Sequence, residues 1–295
     1  MIHILDTRHL GRPGIIAATA LETDAGIALF DTGPESTFEQ VANGLRAIGA
    51  GPEDVRQVFL SHIHLDHAGA AWRFAELGAT IYVHPKGAPH LLDPTKLVES
   101  ATRIFGERMG VLWGKIAAIP RESIRILQDG DSVRLGRLEV RAIETPGHAS
   151  HHHVYHWDAN VFGGDVAGVQ IGAGPPIPPF VPPELQVEAW LESIEKIRAL
   201  KAERIYLPHF GLARGAVASH LDALEERVRR YSQWFRDHMR AGAEESELIP
   251  AFAKYEGDDL LAHGATEEGV SDYEAADPSS MAVTAALRYW RKVSP

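Results

Sequence analysis

His62, His64, Asp66 and His67 place three imidazoles and a carboxylate within six positions of the run Ser61-His62-Ile63-His64-Leu65-Asp66-His67. Donors this close suit the binding of a divalent cation, because a neutral imidazole nitrogen takes zinc at about 2.0–2.1 Å. Packing them without an ion would bury polar groups that lack partners. The cluster follows directly on the apolar run 55–60, so a strand delivers it to the end of a sheet. His62 and His64 share one face of an extended segment and converge on one position. Asp66 and His67 lie where a helix begins and point to a second position nearby.

Three further donors sit in the same kind of place. His148 ends Glu144-Thr145-Pro146-Gly147-His148, Asp165 ends Phe162-Gly163-Gly164-Asp165, and His209 follows Tyr206-Leu207-Pro208. Each comes just after an apolar run. Donors at the ends of successive strands, each opening a loop, are the layout of an active site along one rim of a sheet.

The set His62-x-His64-x-Asp66-His67, then His148, Asp165 and His209, resembles the metallo-β-lactamase fold superfamily over roughly residues 1–215. Asp31, in Leu29-Phe30-Asp31-Thr32-Gly33, looks like that family's early strand-end aspartate. The resemblance implies an α/β fold, a four-layer αββα sandwich with the site at one sheet edge. It implies that His62, His64 and His148 hold one metal, that Asp66, His67 and His209 hold another, and that Asp165 bridges them. Two divalent ions are the implied cofactors, zinc first, with iron and manganese as alternatives that His and Asp ligands also accept. The implied nucleophile is a metal-bridging hydroxide, with Asp66 as the catalytic residue that orients it and moves its proton. Asp31 then either orders its loop and backs a ligand, or is a simple turn residue. His152 and Phe180 are further candidates, either to back the site or to face substrate.

Departures from the family's subgroups narrow the substrate. β-Lactamases with this opening motif generally lack the bridging aspartate, which is present here as Asp165. Acyl-homoserine lactonases usually carry a tyrosine three residues beyond it, where this chain has Gly168. Thioesterases similar to glyoxalase II share the bridging aspartate and a helical C-terminal region. The expected function is therefore a dinuclear hydrolase of an acyl ester, thioester or lactone. The alternatives are a phosphodiester or phosphotriester hydrolase, a mononuclear iron dioxygenase acting on a persulfide, and a metal-binding sensor without turnover.

The 295 residues carry a net charge of −11, which disfavours nucleic acid and anionic membranes as partners and leaves a small molecule as the expected substrate. There is no cysteine, so disulfides, thiolate metal sites and a cysteine nucleophile are excluded. No apolar stretch approaches the roughly 20 residues of a membrane helix. The first residues resemble no leader, so a cytoplasmic location is expected.

These donors need a frame. Strands are expected at 15–21, 26–31, 55–60, 80–83, 123–127, 132–135, 138–144, 153–157, 160–162 and 204–207. Helices are expected after Ser36, which caps one with Glu39 at the reciprocal position, and at 68–77, 184–201 and 216–239, with one or two more over 85–109. Strands interspersed with helices favour two sheets covered by helices. Residues 1–215 form the sandwich domain, and 216–295 a helical extension on or near the cleft. Leu221, Leu224, Val228, Tyr231 and Phe235 give its long helix an apolar side for the core or for a second copy in a homodimer. The proline-rich residues 172–183 are either a stiff wall of the active site or a surface loop.

Overall fold

The structure, a computed structural model, describes residues 1–293. Six strands run in chain order across the first sheet: β1 (Ile2–Asp6), β2 (Ala17–Thr23), β3 (Gly26–Phe30), β4 (Val55–Phe59), β5 (Thr80–Val83) and β6 (Ile124–Ile126). The second sheet holds β7 (Ser132–Leu135), β8 (Leu138–Glu144), β9 (His153–Trp157), β10 (Asn160–Phe162), β11 (Arg204–Leu207) and β12 (Gly211–Leu212), again in sequential order. From β3 to β6 the pairs are parallel, as is β10 with β11. Parallel neighbours need crossovers, and helices supply them. They are α1 (Phe38–Ala47) after β3, α2 (Leu65–Ala68) and α3 (Ala71–Glu76) after β4, and α4 (Ala88–Leu92), α5 (Thr95–Phe105) and α6 (Met109–Trp113) after β5. α7 (Val187–Ala199) joins β10 to β11.

The inner faces of the two sheets meet through an aromatic layer of Phe30, Phe59, Tyr155, Trp157 and Phe162. Phe30 stacks on Trp157 with ring centroids 4.7 Å apart. Outside the first sheet, Phe38, Val41 and Leu45 of α1 and Trp72 and Phe74 of α3 bury its outer face. Trp190 and Ile194 of α7 do the same for the second sheet. These are the four layers of an αββα sandwich, the expected fold class. α8 (Val217–Arg240), α9 (Glu245–Ala262), α10 (Glu267–Ala276) and α11 (Ser279–Val293) follow to the end of the described residues. The apolar side of α8, Leu221, Leu224, Val228, Tyr231 and Phe235, is fully buried within this chain, in the same cluster as α7.

Some local expectations change. β1 and β12 fall outside the expected strands: only one of the five residues of β1 is buried, so this partly covered edge strand carries little apolar signal, and β12 is only two residues long. Ser36 does not cap α1. A 3₁₀ turn over Glu35–Thr37 intervenes, and the Ser36 hydroxyl donates to Leu112 O at 2.7 Å. The helix expected at 68–77 is two, α2 and α3.

Candidate metal centre

Four strands of the sandwich aim loops at one rim. β4 ends just before His62, β8 before His148, β10 before Asp165 and β11 before His209. There, His62, His64 and His148 each bring a ring nitrogen within 4.8 Å of the others. Asp66, His67, Asp165 and His209 form a second such group. In the first, His62 Nε2 lies 2.8 Å from His64 Nδ1, and His148 Nε2 lies 3.2 and 3.0 Å from those two atoms. In the second, His67 Nε2 is 3.2 Å from Asp66 Oδ2 and 3.3 Å from Asp165 Oδ2. His209 Nε2 is 3.5 Å from Asp66 Oδ2 and 3.7 Å from Asp165 Oδ1. Asp165 Oδ2 also lies 3.4 Å from His148 Nε2, so this carboxylate faces both groups.

The outer ring nitrogens decide what the inner ones present. His148 Nδ1 donates to Pro179 O at 2.9 Å, and His209 Nδ1 to Ile15 O at 2.8 Å. His67 Nδ1 donates to Asp31 Oδ2 at 2.8 Å. His62 Nδ1 donates to Ser61 Oγ at 3.0 Å, whose own hydrogen goes to Asp31 Oδ2 at 2.7 Å. A neutral imidazole has one N–H, so each of these rings turns a lone pair inward. The interior is thus lined with lone pairs and carboxylate oxygens that face one another. His67 Nε2 and Asp165 Oδ1 are buried with no hydrogen-bond partner at all. Such a set repels itself unless positive charge enters it, and nitrogen and oxygen donors of this kind fit divalent cations.

The electrostatics agree. Burial, together with the neighbouring imidazoles of His67, His64 and His148, holds the His62 pKa well below its usual value, so the ring stays neutral. Burial also opposes charge on His67, but the carboxylates of Asp165, Asp66 and Asp31 outweigh it and raise its pKa well above the ordinary range. Burial favours the neutral forms of Asp66 and Asp165, yet chiefly His67 keeps both pKa values low. Without an ion, protons on the histidines are the available compensation for the two carboxylates.

Asp31 sits behind this set, fully buried and with a left-handed φ of 52°. It accepts from Ser61 N and Ser61 Oγ, each at 2.7 Å, as well as from His67. A carboxylate behind a histidine fixes the ring's orientation and raises its basicity. Two other candidates lie elsewhere than expected. His152 is fully buried, with Nδ1 2.9 Å from Thr145 Oγ1 and Nε2 accepting from Val166 N at 3.4 Å, so it supports the loop of Asp165 and does not face the cleft. Phe180 is 1% exposed and packs between Trp190 and Phe235, because the proline-rich segment turns that side chain into the core. Three supports went unread in the sequence: Ser61, and the carbonyls of Ile15 and Pro179. Ser61 adjoins the motif and was visible. Backbone carbonyls leave no signature.

An αββα sandwich with a three-histidine group and a histidine–carboxylate group on the rim between its sheets defines a class of metal-dependent proteins. Residues 11–209 match the family described as the metallo-beta-lactamase superfamily, and the chain belongs to it. The metallo-beta-lactamase fold-containing protein ST1585 of Sulfurisphaera tokodaii is 27% identical over 159 residues, 52% of this chain and 60% of that protein. The uncharacterized protein ML0493 of Mycobacterium leprae is 32% identical over 31% of this chain and 39% of its own length. The chain thus spans less than two thirds of these relatives. Among solved structures, the metallo-beta-lactamase family protein TTHA1429 from Thermus thermophilus superposes with a TM-score of 0.68 at 18% identity, over 99% of this chain and 93% of that one. That likeness is one of fold, and its coverage includes the C-terminal helices. Family and site together support the binding of divalent metal. Among the described residues no helix is long and apolar enough to cross a membrane.

Proposed function

We propose that this chain is a hydrolase that holds two divalent ions, zinc foremost, and cleaves an acyl ester, thioester or lactone. His62, His64 and His148 would hold one ion and Asp66, His67 and His209 the other, with Asp165 shared between them. Ions so held make water acidic near neutral pH and polarise the oxygen of the electrophile. The observation that carries this reading is the inward-facing set of histidine nitrogens and carboxylate oxygens, among them His67 Nε2 and Asp165 Oδ1, which are buried without a hydrogen-bond partner.

The chain's own residues divide the remaining work. Ser61 and Asp31 fix the rings of His62 and His67, and two carbonyls fix those of His148 and His209. Asp66 keeps 19% of its side chain exposed while His67 is fully covered. Its Oδ2 faces His67 and His209, and its partial exposure suits this carboxylate to accept a proton from attacking water. An acyl substrate also suits the charge of −11, which would repel a polyanion.

The test is metal content together with turnover on a panel of p-nitrophenyl esters, acyl-thioesters, lactones and phosphodiesters. Wild type is expected to hold about two metals per chain and to hydrolyse an acyl compound. Inactivity across the whole panel with both sites occupied would sink the reading. Oxygen uptake with one iron per chain would replace it by the persulfide dioxygenase alternative.

A further inference from the structure

Beyond Asp165 the chain makes a 3₁₀ turn and enters a narrow hairpin-like loop, in which Val169 and Ile177 exchange backbone hydrogen bonds of 2.9 Å in both directions. The loop is tied to the site from both limbs. On the first, Gln170 N donates to His209 O at 2.5 Å, and Gln170 O accepts from Phe210 N at 3.1 Å. Just past the second, Pro179 O accepts from His148 Nδ1. One segment therefore starts at the shared carboxylate and grips a histidine of each group.

Its tip is held from the C-terminal layer. Tyr273 of α10 is fully buried, and its hydroxyl enters between the two limbs. The hydroxyl accepts from Ile171 N at 3.0 Å and donates to Pro175 O at 2.7 Å. The ring comes so close to Gly174 that a Cβ there would stand 2.6 Å from the hydroxyl oxygen. Arg214 closes the third side, donating from Nη1 to Gly172 O at 2.7 Å and from its backbone N to Gln170 Oε1 at 2.8 Å. α10 is itself braced against the N-terminal loop by an ion pair between Arg12 and Asp272 at 2.5 Å.

We propose that Tyr273 is a positioning residue of the metal centre: by pinning both limbs of the 169–177 loop it sets where His148 and His209 stand. This rests on the reading of the site as a metal centre. The physical argument is one of transmitted orientation. Partners that hold ligating histidines are worth about 10- to 100-fold in metal affinity. Tyr273 acts one contact further out, on the backbone that carries such partners, so its effect falls at the lower end of that range.

The test compares Tyr273→Phe with Tyr231→Phe in the full chain. Tyr231 is equally buried in the same helical layer, and its hydroxyl donates to Asp259 Oδ2 at 3.0 Å without touching the loop. Zinc affinity is measured by competition with a chromophoric chelator, and the melting temperature is taken on metal-free protein. Tyr273→Phe is expected to bind zinc about 10-fold more weakly, Tyr231→Phe like wild type, with both lowering the metal-free melting temperature. Gly174→Ala, which forces Tyr273 away, is expected to weaken zinc in the same direction, and it carries the comparison if Tyr273→Phe fails to fold. Equal zinc affinity in Tyr273→Phe and wild type, or equal weakening in both tyrosine variants, overturns the inference. A wild type that binds no zinc overturns the metal-centre reading, and this inference with it.

Discussion

Two buried polar clusters of this molecule can be set side by side. In the C-terminal layer, Asp259 accepts from Arg227 Nε at 2.9 Å, Arg230 Nη2 at 2.8 Å and Tyr231 Oη at 3.0 Å. Burial works against its ionisation, but Arg230 and Arg227 more than compensate, and its pKa falls. There each acceptor meets a donor. At the rim between the sheets, ring nitrogens and carboxylate oxygens crowd one another, and His67 Nε2 and Asp165 Oδ1 are buried without a hydrogen-bond partner. Both clusters are charged and enclosed. The first is complete as folded and fixes how helices pack. The second is complete only with added positive charge, which is how a site differs from a scaffold.

The strongest way to break that comparison is to change one charged residue in each cluster's core. Asp165→Asn removes the charge shared by the two histidine groups. Hydrolysis is expected to fall by about 10²–10³-fold or more, with metal content below that of wild type. The metal-free protein should lose some stability as well, because His67 loses the first of the carboxylates that offset its burial. Kinetics, metal analysis and metal-free unfolding check the three parts. Unchanged turnover in Asp165→Asn would remove the rim from the chemistry.

In the C-terminal cluster the effect should invert. Arg227→Met leaves Asp259 short of one buried partner, and breaking a buried pair typically costs about 3–5 kcal/mol. Arg230 still reaches Asp259 at 2.8 Å, so a loss of about 3 kcal/mol is expected. Zinc affinity should stay near wild type. Denaturant unfolding and chelator competition read the two quantities separately, and a large loss of zinc binding would mean that the clusters are not independent.

The rim was legible in the sequence because its information is local. His62 to His67 lie within six positions, and the other donors follow directly on apolar runs that the period-two pattern marks as strands. The sandwich followed from the same runs, apart from β1 and the two-residue β12. What fastens the rim was not legible. The carbonyls of Ile15 and Pro179 have no side-chain code, and Tyr273 meets Ile171 across 102 residues of chain. For His152 and Phe180 the limit is related: position along the chain tells which residues come near the cleft, while depth depends on tertiary packing. Asp31 lay between these cases, open in sequence to two readings. Its three hydrogen bonds now make it a support, so Asp31→Asn should weaken zinc by about 10- to 100-fold. An Asp31→Asn protein with wild-type zinc affinity would return it to a turn residue.

The smallest expected effect refines the comparison from inside the C-terminal layer. Glu256 of α9 is 4% exposed, and burial, then the charges of Glu274 and Asp259, push its pKa up to about 8. Lacking a cation, this acceptor takes a proton instead. In the unfolded chain a glutamate titrates near 4.3. Below that pH both states are protonated and Glu256 leaves stability independent of pH. Between there and about 8 the unfolded chain loses its proton first, so the folded state loses stability as pH rises. The slope is at most about 1.4 kcal/mol per pH unit, and it ends once the folded carboxyl has also ionised. Asp277, whose pKa burial and then Glu256 also raise, adds a slope of the same sign. Glu256→Gln should therefore gain on wild type from pH 5 to 8, while Asp277 leaves a residual slope in both proteins. Because the group lies in the C-terminal layer, the gap should be the same with zinc and with chelator. A gap that appeared only with zinc would show that Glu256 belongs electrostatically to the rim, and the two clusters would then have to be treated as one.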